Sequence, residues 1–549
     1  MTASLIIKNA RVLTMDSQTP HAEAVAVRGN TILAVGDTQS VMSHAGADTR
    51  VIDAKGNTLL PGFVESHLHL FAGAYGQTLL QLASVRGFDQ LKAAVEAFAA
   101  AKPDEGLLFA QGADYEILGK GNRLDRHVLD AICPDRPLAV MAFDFHTLYA
   151  NTAALTAAGL LHGRDLPVGN DVVIGADGLA TGELREKFAL LPVLELRTSG
   201  GREMLGMSGI EPPVPPTPAE WREDIETLKA GLRFVASKGI TAVHNMDGNR
   251  HLLELLRDVA AEGDLLARVS VPFHYTREMP LSELDRASAM TADFTGDKLT
   301  CGRVKVFVDG VIESGTAALL EDYADRPGLR GVPIFDVEAF AQAATEIDKR
   351  GLQITVHAIG DAAVRLTLDG YQAAQAANGK RDSRHRIEHI EMIDPADIPR
   401  FAELGVIASF QPLHAPDGPS PTTRGIGNAR AAHAYAWRAL VEAGADFAFS
   451  SDWPIVPVDP LLGIQVALTR QPHLPNLPDQ RLPLHQVLEA FTSRGAYAGF
   501  SENKTGRIRA GLLADLVLLS GDIEAVAPNE IAALSVALTI CDGRITHEA

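Results

Sequence analysis

The chain has 549 residues, 46% of them hydrophobic and 21% charged, which suits a large globular core and excludes a disordered or fibrous polymer. Its 69 acidic residues against 49 Lys plus Arg leave a net charge of −20, which argues against nucleic acid or an anionic membrane as partner. The three cysteines, Cys133, Cys301 and Cys541, are too scattered for a disulfide framework or a thiolate zinc site, and a reducing compartment fits.

The N-terminal "MTASLIIKNARVLTMD" lacks the basic start and apolar run of a signal peptide. No apolar run approaches the ~18 residues of a membrane span. The expected location is therefore the cytoplasm of a microbe, with no membrane partner. The first sixty residues alternate apolar and polar positions around the turn signals "RGN" and "KGN", and "ADLVLLSGD" and "ALSVALTICDGRITHEA" do the same near the end. Each end alone has too few strands to bury a core, so residues 1–60 and 500–549 are expected to form one small β-sandwich domain.

Next comes "PGFVESHLHL", residues 61–70. On a strand His67 and His69 point the same way, with Leu68 opposite. Alone, an H-x-H pair favours a solvated strand end over a metal site. The region of about 75–225 is too long for a single connection and is read as an insertion near the barrel mouth. Beyond it, "GITAVHNM", "GRVKVFVDG", "LQITVHAIG", "RHRIEHIEMI", "GVIASFQP" and "ADFAFSSDWP" read as strands, separated by amphipathic helical segments. That succession predicts an α/β fold, a (β/α)8 TIM-like barrel over residues 61–499. A doubly wound sheet competes, but no G-x-G-x-x-G follows a strand to open a helix.

The strand ends carry the chemistry. In "GRVKVFVDG", Val304, Val306 and Val308 share one face, which turns Lys305, Phe307 and Asp309 inward. A lysine inside a barrel is costly unless paired, deprotonated or modified, and an ion pair with Asp309 is the ordinary alternative. His357, His389 and Asp452 end later strands. Singly each is most simply structural, but together with His67 and His69 they form a set of imidazoles and carboxylate suited to Zn²⁺ or a neighbouring first-row metal.

These motifs, with "KNARVLTMD", "LPGFVESHLHL", "VHAIGDAAV", "HRIEHIEMID", "SSDWPIVPVDPL" and "AGLLADLVLLSGD", run nearly end to end. They resemble the amidohydrolase superfamily, specifically its YtcJ-like metal-dependent amidohydrolases (the amidohydrolase 3 group), which include N-substituted formamide deformylase. Glu65 is a departure, since many relatives carry Asp there, and it is expected to affect local support only. The resemblance implies that His67 and His69 bind a more buried metal and that His357 and His389 bind a more exposed one. It implies that Asp452 ligates metal and handles the proton of the attacking water. Lys305 matches a lysine that CO2 can carboxylate to bridge two metals. The expected cofactor is a divalent metal, Zn first, as one or two ions. His146 and, less directly, Tyr149 match a segment near the substrate.

The implied function is hydrolysis of an amide-type carbon–nitrogen bond in a small molecule, not a peptide. Deamination is the neighbouring alternative, but such relatives commonly carry Glu three residues after the fifth-strand histidine, and Gly360 stands there. A non-catalytic barrel scaffold is the other alternative. Phe71, Phe145, Trp453 and Ile455 hint at a partly apolar pocket, with a packed rim as the competing reading. Arg470 could bind an anion or form an ion pair. A homodimer is compatible with the sequence.

Overall fold

The computed structural model describes residues 1–416, 418–472 and 474–549. Its centre consists of short strands: β1 (Phe63–Leu68), β2 (Ile240–Asn245), β3 (Arg268–Ser270), β4 (Arg303–Phe307), β5 (Gln353–Ala358), β6 (Arg386–His389), β7 (Ile407–Phe410) and β8 (Phe447–Phe449). β1 to β3 pair in parallel in one sheet and β4 to β8 in another, each in chain order. Just past β3, Phe273–His274 pairs with β4 and joins the sheets. At the other seam the Asp452 N–H donates to the His67 carbonyl and the His69 N–H to the Trp453 carbonyl, both at 2.8 Å. The arrangement is TIM-barrel-like, and consecutive strand order removes the doubly wound alternative, in which the order reverses midway.

Side-chain alternation decides what faces inward. Val304, Val306, Ile354, Val356 and Ile387 join the apolar core shared with the surrounding helices. The helix Val337–Lys349 shows the fit: Asp336 caps it by accepting from the Ala339 N–H, and Phe340, Ala343, Ala344 and Ile347 are buried along one stripe. The alternate positions Lys305, Thr355, His357, Arg386 and Glu388 are buried polar residues. Arg386 pairs with Glu388 twice, Nε to Oε1 at 2.8 Å and Nη2 to Oε2 at 2.9 Å. It also donates to the Ser66 carbonyl at 2.7 Å and Ser409 Oγ at 2.9 Å, tying β6 to β1 and β7. A buried pair of this kind adds little net stability, yet losing one partner costs about 3–5 kcal/mol. Its larger effect is positional, because it fixes the carboxylate that meets His67. The "RHRIEHIEMI" strand is shorter than its apolar pattern predicts. It stops at His389 because His389 (φ 74°) and Ile390 (φ 50°) turn left-handed and cannot continue a ladder.

The terminal strands form two further sheets. One is built from residues between Leu5 and Asp53, and the other places Thr58–Pro61 between Leu516–Leu519 and Arg11–Leu13. Leu5, Ile7 and Val27 of the first share a core with Leu59, Leu516 and Ile540 of the second. Thr58–Pro61 then leads through Gly62 directly into β1. Between β1 and β2 the chain builds a separate six-stranded mixed sheet whose strands run from Leu80–Gln81 to Ala180–Arg185. There Thr147 faces Arg185 in antiparallel register, which sets His146 beside Glu186. Among the described residues no helix is long and apolar enough to cross a membrane.

Candidate metal centre

His67 on β1 and His69 just past its end are buried, and their ring nitrogens are sorted by their partners. His67 Nδ1 lies 2.7 Å from Glu388 Oε2, and His69 Nδ1 lies 2.6 Å from Asp247 Oδ1. Each Nδ1 therefore donates its proton outward, leaving the Nε2 lone pair to face the cavity. Both Nε2 atoms converge on one oxygen, Asp452 Oδ1, at 3.2 and 3.1 Å. His389 donates from Nδ1 to Gln411 Oε1 at 2.8 Å, and Gln411 is oriented by its own donation to Ser450 Oγ at 2.9 Å. His357 is tied the other way, Nε2 to the Gly310 carbonyl at 3.1 Å, which frees Nδ1. The His389 ring lies 4.9 Å from that of His67 and 4.6 Å from that of His357.

The carboxylate and the lysine complete the set. Asp452 Oδ1 is buried with no hydrogen-bond partner among the described residues, and so is Lys305 Nζ. Burial opposes ionisation of Asp452, but His67 and His69 outweigh it and hold the carboxyl well below its ordinary value. Burial likewise opposes protonation of His69, yet Asp247 and Asp452 raise it to about 9. The site thus asks for positive charge at the His69 Nε2 position, as a proton or a cation. Buried, preoriented lone pairs around an unsatisfied carboxylate oxygen fit a divalent metal, and His67, His389 and Asp452 bring ligand atoms within 4.8 Å of one another. His389 (φ 74°) and Asp452 (φ 66°) both adopt left-handed backbone, as does Glu186 (φ 62°), a concentration of strain at the site.

Lys305 does not pair with Asp309. The Asp309 carboxylate instead accepts three backbone N–H groups, from Ala318, Ile359 and Gly360, at 2.9–3.0 Å. Burial lowers Lys305 to about 8 despite Glu388 and Asp452, and its ammonium stands 4.6 Å over the Phe307 ring. Glu65 accepts from the Ser451 N–H at 2.6 Å and so supports the residue before Asp452.

His146 is brought to the site. Its ring is 5.4 Å from that of His357, and its Nδ1 lies 2.8 Å from Glu186 Oε2. Tyr149 is not: it lies on the strand Thr147–Ala150, which begins just after His146, and is buried in the core of the inserted sheet. Trp453 also packs away from the cavity, against Phe234 and so tightly on Gly73 that a Cβ there would overlap its ring. Phe71 is a core residue, whereas Phe145 and Ile455 line the cavity. Arg470 donates to the Tyr435 carbonyl at 3.0 Å and stacks on Tyr435 and Trp437, apart from the histidines. Sequence reasoning missed Asp247, Gln411 and His414. His414 stacks on His389 at 5.7 Å, and its Nε2 lies 3.7 Å from Asp452 Oδ2.

Replacing Asp247 by Asn removes the charge that holds the His69 tautomer. Metal affinity, measured by competition with a chromophoric chelator, is expected to fall by ~10–100-fold.

A barrel-like α/β fold with a buried histidine–carboxylate centre at its strand ends is the architecture of a metal-assisted hydrolase. A sequence profile of the amidohydrolase family matches residues 50–547, and the chain belongs to that family. It is 30% identical to YtcJ of Bacillus subtilis (strain 168) over 98% of both chains. It is also 30% identical to LONG AFTER FAR-RED 3 of Arabidopsis thaliana, over 94% of this chain and 87% of that one. Identity to the N-substituted formamide deformylase of Arthrobacter pascens is 24%, over 99% and 98%. The fold is shared with a metal-dependent hydrolase of Pyrococcus horikoshii OT3, 22% identical with a TM-score of 0.73 over 99% of this chain and all of that one.

Proposed function

We propose that the protein is a metal-dependent hydrolase cleaving an amide-type C–N bond, other than a peptide bond, in a small molecule. The observation that carries this reading is the sorting of four buried histidines, each with one nitrogen tied to a partner and the other left for a ligand. In this reading His67, His69, His357, His389 and Asp452 hold one or two ions, zinc first. They sit at the strand ends of a (β/α)8 barrel (residues 61–499) that is carried by a β-sandwich of both termini. A divalent ion bound there would supply Lewis acidity, bringing water's pKa from 15.7 toward ~7 and polarising a carbonyl.

The protein's own groups complete the reaction. Asp452 takes a proton from the attacking water as the C–O bond forms, then delivers it to nitrogen as the C–N bond breaks, so that a neutral amine leaves. Burial disfavours a charged His146, but Glu186 outweighs it and raises the imidazole to about 9. Glu186 thus favours the charged imidazole, and a charged His146 beside His357 would donate to the developing oxyanion. A screen of N-formyl and N-acyl amines, with the released amine identified, tests the function. Release of ammonia alone from amino-substituted rings would move the assignment to deamination.

Lys305 decides between one metal and two. A desolvated amine lowered to about 8 is reactive toward CO2, and the carbamate would be an anion able to hold a second ion beside the histidines. Lys305→Ala should lose activity that acetate or propionate partly restores. An unmodified Lys305 in a crystal of the active, metal-loaded enzyme would rule the carbamate out and leave the histidine site standing.

A further inference from the structure

The cavity lined by the histidines and Asp452, about 180 Å³, is not the larger space at this end of the barrel. Beside it lies a chamber of about 360 Å³, and Phe145, His146, Met207 and Phe307 line both. A substrate reacting at the histidines can therefore extend past these four residues. The outer chamber is mostly apolar, with Leu190, Leu194 and Met204 on its wall. Its mouth is apolar too: Val168 and Val332 are 69% and 61% exposed there, an arrangement that costs solvation unless a ligand uses it.

Polar groups without a partner among the described residues line this apolar space: besides the Ser208 hydroxyl they are Lys187 and His274. Lys187 lines it partly buried, with no hydrogen bond or ion pair among the described residues beyond the face of Phe188, 5.0 Å away. Other charges there are accounted for or lie outside. Arg185 pairs with Glu183 and Asp171, Arg277 with Asp336 and Glu186 with His146; Asp309 accepts three backbone N–H groups, and Glu278 is exposed at the rim beyond ion-pair distance. His274 is fully buried, is stacked on Phe307 at 5.4 Å, and has neither ring nitrogen hydrogen-bonded. Burial, and after it the Lys187 charge, disfavours protonation of His274. An ammonium without an ion-pair partner and an imidazole N–H, both lining one apolar chamber, are suited to receive a carboxylate.

We infer that the outer chamber is a substrate subsite for an apolar group bearing a carboxylate, with Lys187 as its counter-ion and His274 as a second donor. This rests on the hydrolase reading above and narrows it: the substrate is an amide whose apolar portion ends in an anion, with the scissile bond reaching past Phe307 to the histidines.

Calorimetric binding tests the subsite without turnover. The probes are 4-phenylbutyrate and its uncharged amide, titrated into the metal-loaded wild type, Lys187→Met and Lys187→Arg. The expected result is that Lys187→Met weakens 4-phenylbutyrate by ~10–100-fold more than the amide, the size of a charge-assisted hydrogen bond, and that Lys187→Arg recovers most of the loss. Equal weakening of both probes, or 4-phenylbutyrate binding untouched by Lys187→Met because the carboxylate seats among the histidines, would overturn the proposal. Failure of every amide in the substrate screen would instead count against the hydrolase reading, and the calorimetric result would still stand.

Discussion

Asp452→Asn is expected to lower kcat by at least ~10²-fold, the usual contribution of a general acid–base group. The substitution keeps the shape of the side chain. It replaces one carboxylate oxygen by an amide nitrogen and removes the charge from a group whose Oδ1 faces His67 and His69 at 3.2 and 3.1 Å and whose Oδ2 faces His414 at 3.7 Å. Most of the metal should remain, since four histidines are untouched. The check is metal content and rate measured on the same preparation. A variant within a few-fold of wild type would take Asp452 out of the proton transfer.

The second large effect is expected from His67→Ala, which should lower metal content and turnover together. His67 joins the centre directly and is the residue through which Glu388, and behind it Arg386, act on the site. Its removal also leaves Glu388 without its imidazole partner inside the barrel. The loss in metal affinity should exceed the ~10–100-fold expected for Asp247→Asn, because a ligand is lost and not only its support. Circular dichroism separates this from unfolding. A folded variant that kept full metal and full rate would remove His67 from the centre.

Much of the site is legible in the sequence because strands simplify geometry. Once Val304 and Val306 are assigned to the core, alternation alone turns Lys305 inward, and the same logic aligns His67 with His69. What stays hidden is which buried carboxylate meets which imidazole. Asp247 follows β2 by two residues and Glu388 is the neighbour of the candidate ligand His389, but their partners lie 178 and 321 positions away in the chain. Gln411 and His414 sit on a connection with no periodic pattern at all. The inserted sheet is illegible for a related reason. Short strands such as Leu80–Gln81, Thr147–Ala150 and Asp171–Ile174 offer too few residues for alternation to assign their faces, and Thr147–Ala150 is buried throughout. That is how Tyr149, near His146 in sequence, goes to the core while His146 goes to the cavity.

The most direct test of the metal centre is elemental analysis of the wild-type protein purified without added metal, paired with anomalous diffraction from its crystals. One or two equivalents of a first-row divalent ion, with anomalous density among His67, His69, His389 and Asp452, is the result predicted. Metal-free protein that hydrolyses its substrate at full rate, or an ion bound elsewhere with these side chains empty, would contradict it.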